Sequence, residues 1–251
     1  MSNENTSFWD NLEALRRSIL RTIFVLLLFF SATFILLPHI FDSVVLAPAT
    51  ADFFLYRLIG IDIAPINIIN INVATQFLTH ISTAFWMAFI AAFPYLIIEL
   101  WRFIRPALYP GERRSVGAAF ALSTIMFYLG CTLGYSIVFP LTFSFLTNYT
   151  LSATVAQSVS LDSYMSTFLT LIFTMGLLFE LPLLVQLLSR IGLVSRAQLK
   201  KYRRHAFVAL LVIAAIITPS GDPFTLMVVT LPLYSLYEFG ILIAKDNTDN
   251  E

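Results

Sequence analysis

Residues 19–37 read ILRTIFVLLLFFSATFILL, a run in which the only charge is Arg21. A bilayer core about 30 Å thick needs roughly 20 apolar residues in a helix, so this run is long enough to span one. Arg21 lies near its start, where a long side chain can snorkel to the headgroups. Upstream, Met1–Asp10 is polar and mildly acidic, without the basic start, short apolar run and small-residue cleavage site of a signal peptide. The chain is therefore expected to keep its N-terminus and to enter the membrane through this first span. Between the two, Phe8, Trp9, Leu12, Leu15 and Ile19 recur at helical spacing, with Ser7 and Asp10 placed as a capping box. That pattern predicts a short cytoplasmic amphipathic helix over 1–18, anchored at the interface by Trp9.

Downstream the same reading repeats. A second apolar run, 73–98, holds one ionisable group, His80. No charge occurs from Ser115 to Leu161, too long for one helix, and Pro140 with the polar stretch 147–160 divides it. The third span is placed at 116–139, with an outer loop after it, and the fourth at 163–188 around Glu180. The last two runs, 206–218 and 224–237, flank Pro219-Ser220-Gly221-Asp222-Pro223 and reach only about 20 Å each. They read as two short spans that thin the bilayer locally, in preference to one re-entrant hairpin. The expectation is an all-α membrane protein: one polytopic domain over 1–251, with six transmembrane helices.

Composition agrees. The 251 residues are 58% hydrophobic and 12% charged, with a mean hydropathy of +0.82. A soluble domain is nearer a quarter charged. Net charge is zero, and no basic groove interleaved with aromatics is visible, so nucleic acid is not an expected partner. The single cysteine, Cys131, excludes an internal disulfide and a cysteine-based zinc cage, and no metal or cofactor is expected.

Basic residues set the orientation. Arg16, Arg17 and Arg21 precede span one; Arg102, Arg105, Arg113 and Arg114 follow span two; Arg190, Arg196, Lys200, Lys201, Arg203 and Arg204 follow span four; Lys245 follows span six. Only Arg57 falls on the other side. The positive-inside rule puts both termini in the cytoplasm. The outer side then holds 39–72, which contains Pro48 and Pro65, and 141–162, both read as ordered caps.

Ionisable groups at membrane depth are costly and tend to have a task. Glu180, in Phe179-Glu180-Leu181-Pro182, lies near mid-span. It reads either as a structural hydrogen bond between helices or as a polar contact for a substrate, a partner helix or a proton. Pro182 should kink the helix beside it. Asp222, just before Pro223, has the form of a helix N-cap. His80 reads as an interhelical donor, and Gly130 with Gly134 as a small-residue pair that brings helices close. Glu99 and Glu238 lie at inner helix ends, within reach of arginines. Glu13 stands three and four residues before Arg16 and Arg17, where a local ion pair is the default. The inner loop Trp101–Arg114 has Glu112 as its only acid, a candidate receptor for a cationic peptide.

Five segments in order resemble the TatC family, the multispanning receptor of the twin-arginine protein translocase. They are Phe8–Arg17; Phe103–Tyr109 with Glu112-Arg113-Arg114; Phe127-Tyr128-Leu129-Gly130; Phe179–Pro182; and Ile217–Asp222. The resemblance implies a six-helix, cup-like bundle in the bacterial inner membrane that binds the Arg-Arg signal peptides of folded cargo. It also implies transport driven by the proton-motive force, single-span partners of the TatA and TatB type, and a multi-copy complex. Signal-peptide contacts would fall on Glu112, Phe103, Glu13, Arg16 and Arg17, and intramembrane or partner contacts on Glu180, Asp222 and Pro48. The family's N-terminal motif reads His-Leu-Glu-Glu-Leu-Arg, whereas this chain has Asn11-Leu12-Glu13-Ala14-Leu15-Arg16, with Ala14 in place of the second Glu.

The residues argue against two rival classes. A proton-coupled small-solute transporter or channel would use Glu180, but no internal repeat is evident and only one carboxylate lies deep. An intramembrane protease would need a Ser–His pair, two membrane Asp or His-Glu-x-x-His, and none occurs.

Overall fold

The computed structural model describes residues 2–60, 67–105, 113–152, 158–190 and 192–244, without the side chains of 2–12, 14, 113–116, 119 and 190. Helix α1 (Ser2–Ile40) runs unbroken for 39 residues. The segment expected as a separate helix over 1–18 is therefore its first part. No Gly occurs in it, and its only Pro is Pro38 in the last turn, so no residue forces a break. A π-helical turn (Phe41–Val45), a 3₁₀ turn (Ala47–Ala49) and the short α2 (Phe54–Ile59) cap this end. Gly60 closes α2 at φ 71°, the left-handed conformation that a helix C-terminus takes most easily with Gly.

Strand β1 (Ile68–Ile69) precedes α3 (Thr75–Ile104), and α4 (Arg113–Leu133) follows the inner loop. The helix expected to end near Phe139 instead continues through a π turn (Gly134–Val138) into α5 (Phe139–Asn148). Pro140 lacks an N–H and would clash with the carbonyl four residues back; the wider π turn just before it absorbs both effects, so the chain bends without stopping. Strand β2 (Val159–Ser160) pairs in parallel with β1 and ties the two outer segments together.

Next come α6 (Leu161–Leu178) and α7 (Leu181–Arg190), which divide at Phe179-Glu180. Pro182 cannot donate to Leu178, and the backbone tightens there, with Glu180 N–H bonding Leu177 O at 3.0 Å. A small α8 (Arg196–Lys201), α9 (Arg203–Ile217) and α10 (Pro223–Ile243) complete the chain. Only one of the two helices expected to be short is short. α10 has 21 residues, because Arg203 and Tyr234 satisfy Glu238 and let the helix run past it.

Among the described residues, five segments are long and apolar enough to cross a membrane: Leu15–Ile59, Thr75–Ile104, Phe120–Asn148, Leu161–Ser189 and Pro223–Ile243. The 15-residue α9 is the sixth helix of the bundle, about 22 Å long. Contacts fix an antiparallel order. Thr33 meets Ala84 while Arg21 meets Glu99; Phe93 stacks on Phe127 at 3.5 Å; Ser123 meets Glu180; Arg203 meets Glu238. Six alternating helices return the chain to the end where it began.

The surface differs from that of a soluble protein: large apolar side chains lie outside as well as in the core, and several small polar ones are buried. Thr83, Thr142, Thr225 and Ser123 are buried, while Phe24, Leu27, Ile35, Ile216 and Leu231 are exposed on helix surfaces. In lipid, helices associate through close packing and hydrogen bonds rather than apolar burial. The α4–α6 seam shows how. A Cβ on Gly130 would stand 2.5 Å from Met175 O, and one on Gly176 2.6 Å from Cys131 Sγ. These two helices touch backbone to backbone.

Candidate functional site

Prolines in the helical segments leave carbonyls without their usual donors, and neighbouring elements answer several of them. Phe34 O, four residues before Pro38, accepts from His80 Nε2 at 2.8 Å. The imidazole also stacks on the Phe34 ring at 4.0 Å. Ile90 O, four residues before Pro94, accepts from the Tyr128 hydroxyl at 3.1 Å. Val44 O, four before Pro48, accepts from Tyr135 at 2.9 Å, and Val45 O from Tyr164 at 2.7 Å. Pro48 itself is buried, and its carbonyl takes the Tyr56 hydroxyl at 2.8 Å. Its observed part is therefore in holding the cap together.

Asp222 is the N-cap of α10. Its Oδ1 accepts from Thr225 N–H at 2.7 Å, its Oδ2 from the Ser220 hydroxyl, and Pro223 takes the first helical position. Burial pushes this carboxyl up, but the hydrogen bonds from Ser220 and Thr225 together outweigh it and hold it below the usual carboxylate range.

Glu180 sits in the break between α6 and α7. Its Oε2 accepts from the Ser123 hydroxyl of α4 at 2.6 Å, while Oε1 is buried with no hydrogen-bond partner among the described residues. A half-satisfied carboxyl at this depth is costly unless it is protonated or meets another donor. No motif pointed to Ser123, which lies 57 positions away.

At the end carrying most of the arginines, Glu13 pairs with Arg17 at 2.6 Å, both well exposed. Arg16 is exposed, and Phe103 is 47% exposed in the last turn of α3. Glu112 lies outside the described residues, so its place relative to Phe103 and Glu13 is an expectation only.

The residue whose importance the sequence reading missed is Glu99. Its side chain is 4% exposed, yet it carries four hydrogen bonds. Oε2 accepts from Ser18 Oγ at 2.7 Å and Arg21 at 3.1 Å; Oε1 accepts from the Tyr95 hydroxyl at 3.0 Å and Arg102 at 3.0 Å. The spacing of Tyr95, Glu99 and Arg102 on one helix was a visible signal; the arrival of Ser18 and Arg21 from α1 was not. On the flank of the same helices, α1, α3 and α6 enclose an open cavity of about 1160 Å³. Its lining is mostly apolar, with Ile23, Leu27, Phe30 and Trp86 among it, and Thr75, Thr79 and Ser166 also contribute.

Residues 10–232 match the family model for the Sec-independent protein translocase protein TatC. The chain belongs to the TatC family. A TatC protein of Blattabacterium sp. subsp. Periplaneta americana (strain BPLAN) is 34% identical over 263 residues, covering 97% of this chain and 97% of the relative. The TatC protein of Haemophilus influenzae is 33% identical, covering 98% and 92%. A crystal structure of the twin-arginine translocase receptor TatC is similar with a TM-score of 0.74 at 29% identity, covering 93% of this chain and 97% of that one. TatC membership makes this a multi-pass membrane component of a protein translocase. The rival small-solute transporter is not favoured by any of these likenesses.

Proposed function

We propose that the chain is the receptor subunit of a twin-arginine translocase and binds the Arg-Arg signal peptides of folded cargo in a bacterial inner membrane. The main support is its full-length likeness to a structure named as that receptor. The positive-inside rule favours both termini in the cytoplasm, since fourteen of the fifteen Lys and Arg fall on alternate connections beside them.

In this reading the signal peptide docks on the arginine-bearing rim. Two guanidinium groups meet Glu112 and Glu13, forming charge-assisted and partly bidentate bonds. Phe103, half-exposed at the end of α3, offers an apolar face beside them. Glu13 alone represents the N-terminal acid pair of the family, because Ala14 fills the second position, and it must leave Arg17 to act. The apolar part of the peptide then enters among the helices toward Glu180, whose free Oε1 accepts a donor from the peptide or from a partner helix. Single-span TatA- and TatB-type subunits complete the multi-copy complex, and the proton-motive force drives transport.

Replacing Glu112 by Ala tests this assignment. Export of a folded reporter with an Arg-Arg leader should fall to background, with the variant still inserted and at normal abundance. Unimpaired export would sink it.

A further inference from the structure

The four bonds on Glu99 fall into two classes. Tyr95 and Arg102 belong to its own helix, four residues before and three after, and hold nothing but α3. Ser18 and Arg21 come from α1, 81 and 78 positions away, and cross the helix gap. The carboxylate is buried, while Arg21 and Arg102 are 54% and 61% exposed, so the acid is fixed and the cations come to it.

The place of this clamp matters more than its strength. Ser18 is five residues beyond Glu13 on an unbroken helix, about 7.5 Å along the axis. Phe103 is four residues beyond Glu99 on α3, about 6 Å along that axis. α1 and α3 pack closely along their length, but their other hydrogen bonds among the described residues, Thr33 to Ala84 and His80 to Phe34, lie far from this end, so the polar link here is Glu99, within two turns of Glu13 and of Phe103.

We propose that Glu99 is a positioning residue for signal-peptide recognition: its bridge to Ser18 and Arg21 holds the N-terminal motif on α1 in register with the end of α3 that carries Phe103. The inference rests on the receptor reading above. A peptide carrying two adjacent arginines must find its acceptors at one fixed spacing, and those acceptors are far apart in the sequence, Glu13 on α1 and Glu112 between α3 and α4. Without the bridge, the end of α1 is free to splay from α3, and each arginine then finds its acceptor independently of the other.

Two substitutions separate this from a general electrostatic effect, because each removes one positive charge from the same carboxylate. Arg21→Leu cuts the bridge; Arg102→Leu cuts only a bond within α3. The full chain in lipid nanodiscs is titrated with a fluorescent synthetic Arg-Arg signal peptide. Nitroxide labels on Leu20→Cys and Leu100→Cys, both exposed, report the spacing of the two helix ends. Arg21→Leu should weaken peptide binding by about ten-fold, the loss of one charge-assisted hydrogen bond, and broaden or lengthen the label distance. Arg102→Leu should leave both close to wild type. Ser18→Ala, which cuts the bridge with no change of charge, should shift both in the same direction and guards against a failure of Arg21→Leu to fold. Equal losses from Arg21→Leu and Arg102→Leu would overturn the proposal, as would weakened binding with an unchanged distance. Glu112→Ala serves as the control for the receptor reading. Wild-type binding by that variant removes the reading, while the distance comparison still decides whether Glu99 sets the spacing.

Discussion

His80, Tyr128 and Tyr135 each donate to a carbonyl four residues before a proline on another helix or turn. Such a carbonyl in lipid has no water to turn to, so its donor is worth more than its surface area suggests. Tyr128→Phe removes one hydroxyl and leaves Ile90 O unanswered; the expected cost is roughly 0.5–2 kcal/mol, the range for interhelical hydrogen bonds in membranes. Reversible unfolding of the purified protein in mixed micelles measures it, and no loss would mean that Ile90 O finds another donor. The role of His80 as an interhelical donor was legible from its lone place in an apolar run. Its acceptor was not, because that depends on a proline distant in sequence. Asp222 was legible as a cap from Asp-Pro alone. Its carboxyl is held below the ordinary range, so the stability it adds is present above the unfolded value near pH 4 and disappears as pH falls through the folded one. The melting temperature of wild type should therefore exceed that of Asp222→Asn at neutral pH, with the gap narrowing in acid; a constant gap would refute it.

At the scale of elements, the seam between α4 and α6 is set by glycines rather than by large apolar residues. A side chain on Gly176 meets Cys131 Sγ and the Phe127 ring, both in the packed interior. Gly176→Leu should separate the helices, move Ser123 away from Glu180 and lower the yield of folded protein several-fold, read by monodisperse elution from a size-exclusion column. Wild-type elution and stability would show that the seam gives way cheaply. The glycine pair on α4 was readable as a close-approach motif, while its partner Gly176 was not singled out. Proline misled in one place and guided in another. Pro140 reads as a stop, yet the preceding π turn lets the helix continue to Asn148. Pro182 reads as a kink, and the helix does break, three and two residues before it at Phe179 and Glu180. Sequence shows where a hydrogen bond must be missing, but not how the backbone redistributes the loss.

For the molecule as a whole, the reading rested on two one-dimensional signals, apolar length and the placement of arginine, and both survive in three dimensions. Helix count and alternation follow from them because lipid allows few other solutions. Pairing of β1 with β2 and the bridge from α1 to Glu99 were beyond their reach, since each joins distant segments through no more than two residues a side. The short α9 was expected from its length, whereas α10 proved longer because Glu238 is neutralised by Arg203 rather than ending the helix.

The answered carbonyls also constrain how such a chain can change over generations. While Pro94 is present, loss of the Tyr128 hydroxyl strands a polar group in lipid; once position 94 regains an N–H, the same loss costs little. The order of two substitutions on separate helices then decides whether the intermediate survives, so each proline and its distant donor are inherited as a pair.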